Sequence, residues 1–191
     1  MTSHYDPTTE TSDRQADWDR ATPFADWLGA ADDLVDLWAT ATARAKVPAD
    51  LVDRAEAVPG HWRLLVITED WCLDATSTVP PVAALAEAAS TLDLRVLDRD
   101  DNLDLMDEHL TNGTARSIPV VLLLDGDGVE RAWWGPRPAD LQAWFTGDGQ
   151  TLEKEDRYRE LRKWYARDRG LTTIREIVEL LEQATGAGSV A

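Results

Sequence analysis

The sequence predicts a three-layer α/β/α fold on a central mixed β-sheet, with helical extensions at both ends. Three observations carry that prediction. The apolar core of Trp62–Thr68 lacks the alternation of a half-exposed strand, as a strand covered on both faces does, and Leu94–Leu97 and Pro119–Leu124 read as two further strands. Stretches of helical periodicity separate these runs. A last run, Val129–Trp134, follows the third after only Asp125-Gly126-Asp127-Gly128, a hairpin signal that makes one strand pair antiparallel. Alternating units that close on a hairpin give a mixed sheet with helices on both faces.

Taken in order, residues 1–21 are rich in Thr, Ser, Asp and Gln, carry no apolar period, and are expected to be disordered or loosely attached. Phe24, Trp27, Leu28, Ala31, Leu34, Val35 and Trp38 then recur at helical spacing, with Asp26, Asp32, Asp33 and Asp36 mostly on the other side. This predicts one amphipathic helix over Pro23–Ala45, with Pro23 in its first turn. A short helix is expected over Pro48–Ala57, stopped by Pro59-Gly60. After the first strand a helix should run from Cys72 to Thr91, and Pro80 and Pro81 inside it predict a kink near Thr78–Val79. Asn102–Leu110 reads as a short helix and Thr111-Asn112-Gly113-Thr114 as a turn. Two more helices follow. In Leu152–Arg169, Tyr158, Leu161, Trp164 and Tyr165 form a stripe that ends at Gly170. In Thr173–Gln183, Thr173 and Glu176 have capping-box spacing. The expected division is a loose segment 1–21, a main domain 22–150 and a helical extension 151–186.

The formal net charge is −17, and lysine occurs only as Lys46, Lys154 and Lys163. Such a surface repels phosphate backbones and anionic lipid, so neither nucleic acid nor membrane is an expected partner. Adaptation to high salt and the acidic proteome of a GC-rich genome both fit this composition. No stretch approaches the roughly 20 apolar residues of a spanning helix, and Met1–Arg20 has no apolar signal-peptide core, so a cytoplasmic location is expected. Cys72, the single cysteine, cannot form an internal disulfide, which fits a reducing compartment.

Cys72 lies where the strand residues Leu64–Ile67 give way to a helix. Amides of a helix N-terminus favour thiolate, whereas the nearby carboxylates of Glu69, Asp70 and Asp74 disfavour it. No Lys, Arg or His is adjacent in sequence, and Arg116 is the candidate counter-charge. Asp74 is either a proton carrier for the thiol or a first-turn carboxylate that favours the helix dipole. Asp98, Asp100, Asn102 and Asp104 imitate the opening of a calcium loop, but Leu103 and His109 stand where its Gly and Glu belong, so no metal is expected. His61 and His109 are isolated and read as structural or surface residues. The basic stretch Lys154–Arg169 reads as an ion-paired, solvated face or as a docking face for an acidic surface.

The order strand, Trp71-Cys72-x-x, proline-containing helix, strand, helix, Ser117-Ile118-Pro119, strand, glycine hairpin, strand and helix resembles the thioredoxin superfamily over about Trp62–Phe145. That resemblance implies a reactive Cys72, a cis Ile118–Pro119 bond packed against it, and Trp71 shielding the thiol or contacting a partner. It also implies a groove at Arg116, Ser117, Ile118 and Pro119, where the Ile118 backbone pairs with an extended substrate. Three departures narrow it: Ala75 replaces the second cysteine, Leu73-Asp74 replaces Gly-Pro, and Val66 replaces a buried acid. What remains is a monothiol oxidoreductase, with Cys72 forming mixed disulfides with protein or low-molecular-weight thiols and no cofactor beyond an external thiol. Two alternatives stay open. One is an inactive binding module. The other is an intermolecular redox sensor in which Cys72 pairs with Cys72 of a second chain.

Overall fold

A computed structural model describes residues 3–4 and 12–186. Its strands are β1 (Ser3–His4), β2 (Thr22–Pro23), β3 (Trp62–Thr68), β4 (Leu92–Asp98), β5 (Val120–Leu124) and β6 (Glu130–Trp134). They form one sheet in the order β1-β6-β5-β3-β4-β2. β3 runs parallel to β4, from Trp62 opposite Leu92 to Thr68 opposite Asp98, and antiparallel to β5, which pairs antiparallel with β6. All five residues of β5 are buried, as are all of β3 except Arg63, which explains their unbroken apolar composition. The β5–β6 hairpin is tied by the Asp125 carboxylate, which accepts the amides of Asp127 and Val129 at 3.0 Å each.

The helices are α1 (Gln15–Arg20), α2 (Phe24–Gly29), α3 (Val35–Arg44), α4 (Ala49–Ala57), α5 (Leu73–Ala88), α6 (Leu103–Asp107), α7 (Ala139–Thr146), α8 (Lys154–Asp168) and α9 (Leu171–Gly186). They flank both sides of the sheet, and α5 packs on α3, α9 and β4. α5 runs on through Pro80 and Pro81 and ends at Ala88, short of the expected Thr91. Among the described residues no helix is long and apolar enough to cross a membrane.

Three expectations need correction. The described part of 1–21 is anchored: Trp18 is buried, and Arg14 donates to Glu130 at 2.8 Å and to Glu108. Glu130 also accepts from buried His109 at 2.7 Å, and the other ring nitrogen of His109 faces the Leu105 carbonyl. Backbone bonds add to these, from the Arg14 amide to the Gly128 carbonyl and from the Glu130 amide to the Ser12 carbonyl, and ties of this kind leave no apolar period in the sequence; residues 1–2 and 5–11 lie outside the described set. The helix expected over Pro23–Ala45 is two helices, α2 and α3. Between them Leu34 takes a φ of 50°, and the Asp70 carboxylate accepts the amides of Asp32 and Asp33 at 2.8 and 3.0 Å. The shared stripe survives because Trp27 and Trp38 meet edge to face at 5.2 Å in one core.

The third correction concerns α9, which starts at Leu171. Asp168 accepts the Thr172 amide at 3.2 Å, so the capping box at Thr173 does not form. Glu176 instead accepts from Trp134 Nε1 at 2.6 Å and from the Ala139 amide at the start of α7 at 2.8 Å.

Candidate functional site around Cys72

After β3 the chain turns through Glu69, Asp70 and Trp71 before α5. Asp70 holds this turn from both ends: its carboxylate caps the α2–α3 link and its carbonyl accepts from Trp38 Nε1 at 2.7 Å. The Glu69 carboxylate accepts the Asp100 amide at 2.8 Å. Both carboxylates are therefore engaged elsewhere than at the thiol. Cys72 is the N-cap residue of α5, and its Sγ donates to the Ile118 carbonyl at 3.5 Å. The Ile118–Pro119 peptide is cis, and Ile118 and Pro119 are both buried.

Cys72 is itself only 8% exposed. Burial pushes its thiol up to about 11, adjacent Asp74 adds to the rise, and the amides of Asp74 and Ala75 and the charge of Arg137 pull the other way. Of the opposing influences set out from the sequence, those that hold the proton on the sulfur prevail, and the largest of them is desolvation. The positions of the missing second thiol and missing acid, Ala75 and Val66, are fully buried.

Asp74 is buried behind Cys72 with both oxygens occupied. Arg137 donates to Oδ2 at 2.5 Å and the Tyr165 hydroxyl donates to Oδ1 at 2.8 Å. The hydroxyl's own ionisation is pushed well upward, first by burial and then by Asp74. Arg137 is held in turn by Gln142 at 2.8 Å and by the Phe145 ring, 4.0 Å from the guanidinium carbon. Arg137 reaches this place because the β6–α7 link runs flat against the Pro119 backbone. Gly135 takes a φ of 144°, and a Cβ there would lie 2.3 Å from the Pro119 carbonyl oxygen.

Arg116 does not act as the counter-charge: it is exposed and pairs with Asp107 at 2.6 Å. The cation of this site is Arg137, from a link the sequence reading passed over, and Tyr165 and Gln142 were missed with it. The sequence signal for Arg137 is Gly135-Pro136-Arg137-Pro138, an arginine held between prolines, and Tyr165 showed only as part of the α8 stripe. Ser117 is half-buried in the loop before Pro119. Trp71 is 44% exposed under the Arg99 guanidinium at 4.9 Å, and Leu73 is 45% exposed. Leu73 shares a shallow depression with Leu37, Tyr158 and Arg162. Two carboxylates of the calcium-like loop have partners, Asp100 accepting from Arg99 at 2.6 Å. Asp98 accepts from Trp27 Nε1 at 2.7 Å, and its carbonyl accepts from Asn102 at 2.6 Å.

The family model described as Thioredoxin matches residues 22–167. No curated protein matches the chain. Among solved structures, a protein of unknown function from Pseudomonas aeruginosa, known from a 1.5 Å crystal structure, is 20% identical over 87% of this chain and 95% of that one, with a TM-score of 0.70. The crystal structure of an HIV epitope-scaffold is 18% identical over 88% of this chain and 98% of that one, also with a TM-score of 0.70. Both share the fold described above. The family match begins at β2, ends within α8 and takes in the cysteine turn, the proline loop and the Arg137 link, so the chain belongs to the thioredoxin family.

Proposed function

We propose that this thioredoxin-family protein works through Cys72 as a single thiol that forms mixed disulfides with protein or low-molecular-weight disulfides. One observation carries this reading: the sulfur sits in the first turn of α5, with the Asp74 and Ala75 amides on it, against the Ile118 carbonyl of the proline loop. Trp71 and Leu73 flank it as exposed apolar contacts for a partner. The Cys72 thiolate attacks one sulfur of a disulfide, a Cys72–partner disulfide forms, and the other sulfur leaves as thiolate. Since position 75 is alanine, a second, external thiolate must attack the mixed disulfide to release Cys72. We place this chemistry in the cytoplasm, where small thiols are abundant.

The raised thiol sets the pace. At pH 7 a thiol pushed from 9.0 up to about 11 is ionised about 100-fold less often than one at its ordinary value. That burial favours a second reading, in which the groove binds an extended segment without turnover. It also weighs against a Cys72–Cys72 sensor, since two buried sulfurs must meet. Intact mass after incubation with glutathione disulfide separates the first two readings. The monothiol reading expects one glutathione adduct, faster at pH 9 than at pH 7, lost in Cys72→Ser and reversed by free glutathione. No adduct at pH 9, with partner capture unchanged in Cys72→Ser, leaves the binding module.

A further inference from the structure

Beside the cysteine turn, α3, α5 and α8 leave a depression of about 130 Å³, close in size to apolar cavities of roughly 150 Å³ that hold benzene. Leu37 of α3, Leu73 of α5 and Tyr158 and Leu161 of α8 form its apolar lining. Leu37 and Leu73 are each about half exposed, so the depression is open to solvent. Leu73 follows Cys72 in the chain, so the lining begins one residue from the thiol, about 3.8 Å along the backbone. The polar groups of the lining are already engaged, with one exception. The Thr76 and Ser77 hydroxyls donate to the Leu73 carbonyl at 2.9 and 3.5 Å, and Asp74 is matched by Arg137 and Tyr165. The exception is Arg162, which is exposed and has no ion pair among the described residues. On the same helix Arg159 pairs with Asp156 and Lys163 with Glu160. The neighbours of Arg162 at helical spacing are Tyr158, Arg159, Tyr165 and Ala166, none of them a carboxylate. In a chain of net charge −17, an arginine without an anion thus lines an apolar seat next to the single thiol.

We propose that this depression is the subsite for one half of a small disulfide substrate, with an apolar body seated on Leu37 and Leu73 and a carboxylate taken by Arg162. This rests on the reading that Cys72 exchanges with disulfides, and it names their class: low-molecular-weight, with an apolar group about the size of one ring and a carboxylate. The volume admits one such group and not the face of a folded protein. A mostly apolar seat with one placed charge is the usual make-up of a small-molecule site, and the guanidinium fork fits a planar carboxylate. In the exchange the Cys72 thiolate bonds to the sulfur of the seated half and the S–S bond of the ligand breaks. The other half leaves as a thiolate with the electron pair, so Cys72 is oxidised and the leaving sulfur reduced. The subsite makes α3 and α8 part of the working face of the protein.

Two aromatic disulfides test the proposal on the full chain. In dithiobis(nitrobenzoate) each half is a ring with a carboxylate; dithiodipyridine is of similar size and has none. The rate of each with Cys72 at pH 8 is read from the absorbance of the leaving group. In Arg162→Gln the ratio of the anionic to the neutral rate should fall about fivefold, the upper end for an exposed charge pair. Arg167→Gln removes the same charge from an exposed position of α8 outside the depression, and should leave the ratio within about 1.5-fold of wild type. Leu37→Ser should slow both probes about threefold through lost apolar contact. An unchanged ratio in Arg162→Gln, or equal falls in Arg162→Gln and Arg167→Gln, overturns the proposal. If Cys72 reacts with neither probe, equilibrium dialysis of dithiobis(nitrobenzoate) against Cys72→Ser, with and without Arg162→Gln, decides. One probe per chain, held about fivefold less tightly with Arg162→Gln, supports the seat; binding that is absent or indifferent to Arg162 overturns it. Binding without exchange therefore removes the monothiol reading and keeps the seat, and exchange without an Arg162 effect does the reverse.

Discussion

At Cys72, removal from water works against the helix N-terminus and wins. Two amides and one guanidinium favour thiolate, yet a sulfur 8% exposed beside a buried carboxylate stays protonated at neutral pH. Arg116, paired with Asp107 at the surface, has no part in that balance. Arg116→Gln should therefore leave the alkylation profile of Cys72 unchanged to within about twofold, the scale of an exposed, screened charge; a downward change of tenfold at pH 8 would return Arg116 to the site. Trp71, Cys72, Asp74 and the Ile118-Pro119 pair were legible in the sequence because they sit in two short local patterns. Arg137, Tyr165 and Gln142 were not, because their contact with Asp74 exists only once β6, α7 and α8 have folded. The thiol's protonation was not legible either, since it depends on how completely neighbours exclude water.

At the level of elements, continuous apolar composition marked β3 and β5 closely, because both faces of a central strand are covered. The break between α2 and α3 left no such trace. Both helices bury a tryptophan in the same core, so the period continues while the backbone does not, and the link between them is held by Asp70 on a distant turn. Glu176 had the spacing of a local cap and serves another helix instead. The stop at Gly170 was legible, but its packing was not. Gly170 takes a φ of 79°, and a Cβ there would lie 2.2 Å from Pro81 Cγ, so the α8–α9 corner rests directly on α5. Gly170→Ala should destabilise the protein by about 2 kcal/mol or more through combined backbone strain and overpacking, read as a lower midpoint in denaturant. An unchanged midpoint would mean that the corner does not press on Pro81.

Across the whole molecule, both extensions are joined to the thioredoxin-like core rather than appended to it. Arg14 ties the N-terminal segment to Glu130 at the start of β6, and α8 delivers Tyr165 to the carboxylate behind the thiol. Trp71 and Leu73 remain exposed beside Cys72. The architecture therefore holds one protected sulfur beside exposed apolar side chains. The pH dependence of Cys72 alkylation in the intact wild-type chain tests that claim most directly. The rate should climb about tenfold per pH unit from 7 toward 10 and level off only near the thiol's raised value of about 11. A plateau reached by pH 8 would show a freely ionised sulfur and contradict the account.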